Sequence, residues 1–403
     1  MVNGKKYEFI SVYKHGNATC FRQLLRRQIL AVSMIFFQVA SVYAQDIAIG
    51  LMTRTNTATV LFSPNESKYV LLNEKEDTIY VFKSDDAISV AIVGDRLLLK
   101  SPYGLNDTVS SVKMVGSGNS PNFRVRFNDE KRDHSYFDRL TVSALNGVLK
   151  LVNHVSIERY VARVVQSEVG YGAEEEYYKI QSIICRTYAT RNLVRHVVDG
   201  YDLCDHEHCQ VYSGLKPATN EVMKATSATS GLVMVDPKNE LILSAFHANC
   251  GGQTANSEDV WKESRSYLTS VEDTFCIHSR SAVWDKSMPL TELITQLGFA
   301  TKTGEVGDWS FNQPNRRKYF TLKTDSVETA QMRRLLQLRS TYFDLHVKDG
   351  NAEFAGRGYG HGVGLCQQGA MKMAESGYTY SQILGYYYKG VSLIPFTSLQ
   401  PGK

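Results

Sequence analysis

The chain has 403 residues, of which 43% are hydrophobic and 21% charged, close to the averages of globular proteins. This composition excludes a disordered or collagen-like chain, and the length allows two or three domains. The formal net charge is +4, but residues 1–44 hold six basic residues against one acidic residue, so the remainder is close to neutral. Because binding to a phosphate backbone depends on an excess of Lys and Arg, no nucleic acid is expected as a partner.

The N-terminal segment has the pattern of an export signal. Arg26 and Arg27 precede an apolar run of about 14 residues, and fairly small residues at Val42 and Ala44 suit a cleavage site. This predicts a signal peptide over residues 1–44, and the chain is expected in the periplasm, the cell envelope or the extracellular space. An uncleaved anchor is the alternative, although the run is shorter than the roughly 20 residues of a spanning helix. Membrane contact is expected only through this segment, if it stays uncleaved.

The next part of the chain reads as strands. Residues 45–135 are predicted to form a β-rich N-terminal region, because short runs of β-branched, aromatic and aliphatic residues alternate with Gly, Asn and Asp clusters. The predicted strands include Thr59–Phe62, Tyr69–Leu72, Thr78–Phe82, Ser89–Val93, Arg96–Leu99 and Phe123–Phe127. Asn146-Gly147 between two apolar runs predicts a hairpin with a tight type I′ turn. The region is expected to act as a scaffold, with a docking surface as the alternative.

Helical periodicity begins at about residue 156, and residues 136–403 are predicted to form the main domain. Helices are predicted over 156–169 and about 173–196, from the spacing of apolar residues and the placing of charges at the helix ends. Strands are expected at 232–236, 241–247 and Tyr342–Val347, and helices at 290–297, 326–338 and about 367–376. Thr379 is expected to cap a last helix that runs through Tyr388. The fold class is therefore α+β: a mixed-sheet domain with packed helices, preceded by a smaller β-rich domain.

Glu168 stands on the apolar face of the first predicted helix, just before Gly170. A carboxylate in an apolar setting loses solvation of its charged form, so its pKa rises toward the range that a general acid needs. A structural ion pair is the alternative interpretation, with Arg186 on the next helix as the partner.

Two cysteines and two histidines fall within the six residues 204–209. Sulfur and imidazole ligands at this spacing favour a closed structural Zn²⁺ site, with a disulfide or free thiols as alternatives. The expected ligands are Cys204, His208 and Cys209, with His196 as the fourth ahead of His206. A hydrolytic zinc using His206, Glu207 and His208 is a further hypothesis, which the cysteine ligands disfavour.

Two glycine-bearing loops are candidate binding elements. The first, at 247–254, follows a predicted strand, where the alternative is an ordinary turn. The second, at 356–364, has glycines spaced like those of a dinucleotide loop, but the strand–turn–helix context with an acidic residue on the next strand is missing. Its glycines are expected to allow close approach of a ligand, and His361 to contact substrate or to be a satisfied core residue.

Several of these blocks, taken in order from about Tyr136 to Leu393, resemble the stage II sporulation protein D family (SpoIID/LytB). The blocks are 152–168, 181–189, 208–212, the Cys-Gly-Gly-Gln-Thr loop at 250–254, Trp261, and 358–370. The resemblance implies an exported lytic transglycosylase that cleaves the MurNAc-β-1,4-GlcNAc bond of peptidoglycan glycan strands and leaves a 1,6-anhydro product. It implies Glu168 as the catalytic acid and a zinc ion near the catalytic domain. The glycan is expected to contact Arg186, Tyr188, Gly251, Gly252, His361 and Gln367.

The family also includes amidase enhancers. The second functional hypothesis is therefore a non-catalytic glycan-binding protein that activates a cell-wall amidase. The resemblance further suggests glycan strands already stripped of stem peptides as the substrate. Two departures from the family stand out: Cys366 follows Leu365 where Ser is usual, and Cys250 lies where Ser is frequent. Export and the absence of metal-like neighbours favour a disulfide between Cys250 and Cys276.

Overall fold

The computed structural model describes residues 45–399, except for residues 66, 84 and 129. The predicted signal peptide lies outside the described residues. Among the described helices, none combines the length and the apolar character that a membrane crossing needs.

Two large sheets form the first part of the described chain, and their strands are antiparallel except for the later strand Leu203–Cys204, which pairs in parallel with Asp46–Leu51. One has seven strands in the order β13-β1-β12-β11-β8-β3-β4, and the other has six in the order β10-β9-β2-β5-β6-β7. The strands are β1 (Asp46–Leu51), β2 (Thr59–Asn65), β3 (Lys68–Leu72), β4 (Thr78–Val81), β5 (Ile88–Val93), β6 (Arg96–Lys100), β7 (Asn106–Val109), β8 (Ser111–Ser117), β9 (Asn122–Phe127), β10 (His134–Phe137), β11 (Arg139–Leu145), β12 (Val148–Ser156) and β13 (Leu203–Cys204).

The six strand predictions in the β-rich region are confirmed, and so is the hairpin. Leu145 pairs with Val148 across a two-residue turn in which Asn146 and Gly147 have φ of 51° and 80°. Positive φ at both turn residues is the type I′ geometry that matches the twist of the strands.

The predicted boundary between residues 135 and 136 falls within β10. In addition, β1 pairs with β12 along its whole length, so strands from both sides of the boundary share one sheet. Residues from Gln45 onward form one compact unit. The division into regions 45–135 and 136–403 stays a prediction.

Eight α-helices lie within the described residues. They are α1 (Ile157–Val169), α2 (Glu175–Arg191), α3 (Asn220–Ala228), α4 (Ser257–Val260), α5 (Leu290–Leu297), α6 (Thr329–Leu335), α7 (Gln367–Glu375) and α8 (Tyr380–Tyr387). α1 and α2 pack on each other, and α7 and α8 pack on α2. The α+β class is therefore confirmed. The predicted capping at Thr379 is also confirmed, because its side chain accepts the Gln382 N–H while Gln382 bonds back to Thr379.

Small sheets complete the second part. A four-stranded sheet in the order β16-β21-β20-β17 surrounds its own apolar core with α5 and α6. Three two-stranded sheets are β14-β23, the parallel pair β15-β22, and β18-β19. These strands are β14 (Leu232–Val235), β15 (Phe246–His247), β16 (Val283–Pro289), β17 (Trp309–Phe311), β18 (Tyr319–Leu322), β19 (Asp325–Glu328), β20 (Tyr342–Lys348), β21 (Asn351–Arg357), β22 (Leu365–Cys366) and β23 (Ser392–Pro395).

Three of the predicted elements are wrong in extent. The second helix ends at Arg191 rather than 196, because the chain turns back there toward the predicted zinc ligands. The helix predicted over 326–338 begins only at Thr329, because Asp325–Glu328 pairs as a strand with Tyr319–Leu322. The strand predicted over 241–247 is reduced to Phe246–His247.

Candidate functional site

Helix α1 carries Glu168 at its C-terminal end, one turn beyond the buried Val164 and Val165. The side chain is half-buried, and burial raises the pKa of its carboxyl above the ordinary value. Within the described part of the chain, the carboxylate has neither a hydrogen-bond nor an ion-pair partner. Glu168 thus combines desolvation with a free carboxyl group, which is the condition that raises the pKa of a carboxylic acid.

Buried polar groups lie behind Glu168. The thiol of Cys185 on α2 has a pKa raised by burial and, to a smaller extent, by the charge of Glu168. The Gln210 side chain hydrogen-bonds this thiol and accepts a bond of 3.2 Å from the Tyr160 hydroxyl. Sequence periodicity did not single out Gln210, because it lies outside the regular elements and its partners are distant in the chain.

Arg186 is the partner of Glu158, not of Glu168. Its guanidinium donates to the two carboxylate oxygens of Glu158 at 2.8 and 2.6 Å, and it also bonds the carbonyls of Leu232 and Thr226. The Arg186 side chain is fully buried, so the described structure leaves it no surface for a glycan. Its contacts give it a structural role: it joins α1, α2, α3 and β14.

Replacing Arg186 with Met is expected to destabilise the protein by about 3–5 kcal/mol. The substitution leaves the Glu158 carboxylate without its cation in a largely buried position, which is the costly way to break a buried ion pair. Urea unfolding measures the free-energy change. The control is Arg139→Met, which breaks the exposed Arg139–Asp46 pair and should cost about 0–1 kcal/mol. Equal losses for the two variants would contradict the structural role of Arg186.

The four predicted zinc ligands come together. The donor atoms of His196, Cys204, His208 and Cys209 lie within 4.8 Å of one another. The Cys204 sulfur is 3.6 Å and the Cys209 sulfur 3.8 Å from Nδ1 of His208. Ligands about 2.0–2.3 Å from a tetrahedral zinc have donor–donor separations of about 3.3–3.8 Å.

The surroundings of His196 also fit a metal ion. Its Nε2 is buried without a hydrogen-bond partner among the described residues, while its Nδ1 is 2.9 Å from a carboxylate oxygen of Asp199. A carboxylate on the other ring nitrogen is the usual outer partner of a metal-bound histidine. In contrast, His206 lies outside this set of four, and Glu207 is exposed and paired with Arg54. This placement lends no support to a hydrolytic zinc at residues 206–208.

Tyr188 lies beside this cluster. Its hydroxyl donates to the carbonyl of His208 at 3.3 Å and accepts from Arg195 at 2.9 Å. The end of α2 is therefore tied to the ligand loop. The loop is fixed on its other side by Leu203 and Cys204, which pair with β1.

His361 lines a cleft of about 830 Å³ on another part of the described chain. Its Nδ1 accepts the Val363 N–H at 3.0 Å, and its ring lies 4.9 Å from that of Trp261. Burial, together with the charge of Arg333, lowers the pKa of His361 to about 4, so the ring is neutral near pH 7. Four of the lining residues are basic and one is acidic: Lys262, Arg333, Arg334, Arg339 and Glu328.

The two predicted glycine loops contact each other. Asn249 and Tyr359 exchange backbone hydrogen bonds of 3.0 and 2.8 Å. Gly251 has φ of 71° and packs against the backbone of Arg357 and Gly358. Gln367 begins α7 and is hydrogen-bonded to Tyr177 on α2.

Gly251→Ala is expected to destabilise the protein by more than Gly252→Ala. A Cβ at Gly251 would lie 2.6 Å from the Arg357 carbonyl carbon, whereas at Gly252 the nearest atom is 3.5 Å away. Both positions have positive φ, which by itself costs about 1–3 kcal/mol for a residue with a side chain. Melting temperatures of the two variants measure the difference. A smaller loss for Gly251→Ala would mean that the two loops are not in close contact.

The expected disulfide between Cys250 and Cys276 is not formed. The two sulfur atoms are 3.3 Å apart and all six described cysteines are free thiols. The expected disulfide involved only these two cysteines, whereas the side chains of Asp273 and Cys366 lie in the same buried cluster.

The fold and this site define an α+β protein with a desolvated carboxyl group at a helix end and a Cys₂His₂ cluster close to it in sequence. The SpoIID family model, described as stage II sporulation protein, matches residues 146–235, which include Glu168 and all four cluster residues. An uncharacterized protein of Brachyspira hyodysenteriae is 28% identical over 269 residues, which cover 65% of this chain and 73% of that protein.

Two named relatives come from Bacillus subtilis. Stage II sporulation protein D is 26% identical over 268 residues, covering 60% of this chain and 75% of that protein. An amidase enhancer is 27% identical over 289 residues, covering 58% of this chain and 40% of that protein. These matches confirm the resemblance to the SpoIID family.

Proposed function

We propose that this protein is an exported lytic transglycosylase that cleaves the MurNAc-β-1,4-GlcNAc bond of peptidoglycan glycan strands. The observation that carries the proposal is the Glu168 carboxyl group, half-buried, without a partner in the described structure, and with its pKa raised by burial. The ion pair that could have explained Glu168 structurally is made by Glu158 instead. A cell-wall role accords with the relatives named amidase enhancer and stage II sporulation protein D.

A single carboxyl group suffices for this reaction. Protonated Glu168 gives its proton to the glycosidic oxygen as the bond to the anomeric carbon breaks and positive charge grows on the sugar. The resulting carboxylate then takes the proton of the sugar's own C6 hydroxyl, whose oxygen attacks the anomeric carbon and closes the 1,6-anhydro ring. Because the attack is within one sugar, much of the entropic cost of bringing nucleophile and carbon together is avoided.

The basic cleft at His361 supports glycan strands stripped of stem peptides as the substrate. Removal of a stem peptide leaves a free lactyl carboxylate on each N-acetylmuramic acid. The four basic residues of the cleft suit repeated carboxylates on an otherwise uncharged glycan, and the exposed Trp261 and Tyr359 offer aromatic faces to sugar rings. Gly251, Gly252, His361 and Gln367 remain the proposed positioning residues.

The zinc that the Cys₂His₂ cluster fits would act as a structural cross-link between the end of α2 and the loop before Cys209. Four protein ligands leave no open position for substrate or water, which is the arrangement of structural rather than catalytic zinc. No step of the proposed reaction passes through the metal ion.

The competing function is activation of a cell-wall amidase by a glycan-binding protein without catalysis. The similarity to a protein named amidase enhancer supports it. The free carboxyl group of Glu168 favours the enzyme, because glycan binding alone does not require a protonated acid.

Mass spectrometry of the sugar products tests the proposal. The zinc-loaded protein and its Glu168→Gln variant are incubated with intact and with amidase-stripped peptidoglycan. The expected result is a 1,6-anhydro product from the wild type, mainly on stripped strands, and none from the variant. A folded, zinc-loaded wild type that releases no sugar product from either substrate would overturn the proposal. Stimulation of an added amidase in the same experiment would then support the competing function.

A further inference from the structure

A second cluster of metal-ligating side chains lies in the interior, apart from the Cys₂His₂ cluster. The ligand atoms of Cys250, Asp273, Cys276 and Cys366 lie within 4.8 Å of one another. All four residues are completely buried. They come from three separate parts of the chain: the first glycine loop, the loop at 273–276, and the residue before α7.

The buried Asp273 carboxylate has hydrogen-bond donors but no Lys or Arg as an ion-pair partner among the described residues. It accepts from the Tyr387 hydroxyl at 2.9 Å, from the Phe275 N–H at 3.0 Å and from the Cys250 thiol at 3.2 Å. None of the salt bridges between described residues involves it. A buried acid that does not pair with Lys or Arg is costly unless a bound cation supplies the charge.

Backbone N–H groups point at one of the three sulfur atoms. Cys366 Sγ accepts the backbone N–H of Cys250 at 3.3 Å and that of Gly369 at 3.4 Å. Such N–H donors stabilise negative sulfur, which is the form that binds a metal ion.

The separations suit a shared ion better than a disulfide. The Cys250 sulfur is 3.3 Å from that of Cys276 and 3.2 Å from Oδ2 of Asp273. A disulfide needs an S–S distance of about 2.05 Å, and pairing any two of the three cysteines would leave the third as an odd buried thiol. Sulfur and oxygen ligands of a tetrahedral zinc are about 3.4–3.8 Å apart, so only a small expansion of the cluster is needed.

Gly369 packs directly against the cluster. A Cβ on Gly369 would lie 2.2 Å from Oδ2 of Asp273 and 2.3 Å from the Tyr387 hydroxyl. The buried Arg316 guanidinium donates to the Cys250 carbonyl at 2.6 Å, which places a positive charge beside the anionic ligands. The close packing of Gly369 and the charge of Arg316 would surround a bound metal ion without coordinating it.

We propose that Cys250, Asp273, Cys276 and Cys366 bind a second structural zinc ion. Three thiolates and one carboxylate form a closed set of four ligands of the kind that zinc prefers. Binding releases the protons of the coordinated thiols and cross-links the first glycine loop to the start of α7. The inference goes beyond the proposed function and does not depend on it.

The first test is the zinc content of the purified chain, measured by elemental mass spectrometry. The expected values are two zinc ions for the wild type and one for Cys276→Ser with Cys366→Ser. The double variant Cys204→Ser with Cys209→Ser should also retain one. The control is Cys185→Ser, which removes a buried thiol outside both clusters and should retain two. A wild type with one zinc ion, lost entirely in the Cys204→Ser, Cys209→Ser variant, would overturn the proposal.

Cobalt substitution keeps the test decisive if the double variant fails to fold. The sulfur-to-cobalt charge-transfer absorption of the wild type reports five coordinated thiolates, two in the first cluster and three in the second. Cys366→Ser changes one atom and should remove about one fifth of this absorption, whereas Cys185→Ser should leave it unchanged. Absorption unaffected by Cys366→Ser, or a Cys250–Cys276 disulfide recovered by non-reducing peptide mapping of the metal-loaded protein, would also overturn the proposal.

Discussion

Glu168→Gln is expected to lower the rate of glycan-strand cleavage by about 10²–10⁴-fold, the usual contribution of a positioned general acid. The amide keeps the shape of the side chain but cannot give a proton to the leaving oxygen. The measurement is the initial rate of 1,6-anhydro product formation. Glu221→Gln is the control, because this exposed carboxyl on α3 should be replaceable without effect. A Glu168→Gln variant that cleaves at the wild-type rate would mean that another group is the acid.

Glu168→Gln is also expected to change how the melting temperature depends on pH. Burial raises the pKa of Glu168 in the folded protein above its value in the unfolded chain. The folded state therefore holds the proton more tightly, and stability falls as the pH rises from the ordinary Glu value through the raised one. Glu168→Gln removes this loss, so its melting temperature should exceed that of the wild type at pH 7 by a few degrees, roughly 2–4 °C per kcal/mol. The difference should vanish below about pH 4, where both states of the wild type are protonated.

Loss of the proposed zinc site at His196, Cys204, His208 and Cys209 is expected to have the largest effect on stability. Structural zinc sites in small peptides have apparent binding free energies of about 10–16 kcal/mol, which exceed the expected cost of the Arg186 substitution. Cys204→Ser with Cys209→Ser should lower the melting temperature strongly and expose residues 192–212 to proteolysis. Cys185→Ser is again the matched control, because its thiol lies outside the cluster.

Chelation separates a structural from a catalytic role for this zinc. A structural ion predicts that cleavage activity decays only as the protein unfolds, so zymogram activity and circular dichroism should be lost together. Immediate loss of activity in a protein that stays folded would point to a catalytic metal ion instead. It would also contradict the closed set of four ligands.

Local signals in the sequence predicted a large part of this fold. Asn146-Gly147 and the Thr379 capping box were predictable because each depends only on residues next to it in the chain. The end of α2 and the start of α6 were not, since the loop that leads to the Cys₂His₂ cluster follows α2, and Asp325–Glu328 pairs as a strand with Tyr319–Leu322. Elements of this kind are determined by partners that only the tertiary structure brings together.

The candidate site divides in the same way. The spacing within residues 204–209 predicted that Cys204, His208 and Cys209 lie together, and His196 joins them across the end of α2. Cys250, Cys276 and Cys366 gave no such signal, because 26 residues separate the first two and 90 the last two. Arg186 was assigned to the glycan from the family resemblance, and only the structure identifies Glu158 as its partner.

The parallel pairing of β15 with β22 has a consequence for the order in which the protein folds. Phe246 and His247 pair with Leu365 and Cys366, which lie more than a hundred residues later in the chain. The sequence separation is larger still between Leu232–Val235 and its partner strand Ser392–Pro395. Contacts of such high sequence separation form slowly and late. When the chain appears N-terminus first, its early hairpins can form at once. The cleft at His361 and the buried cysteine cluster cannot form until nearly the whole chain is present. The proposed activity therefore requires nearly the whole described chain to have folded, because the contacts that close the cleft come from its last third.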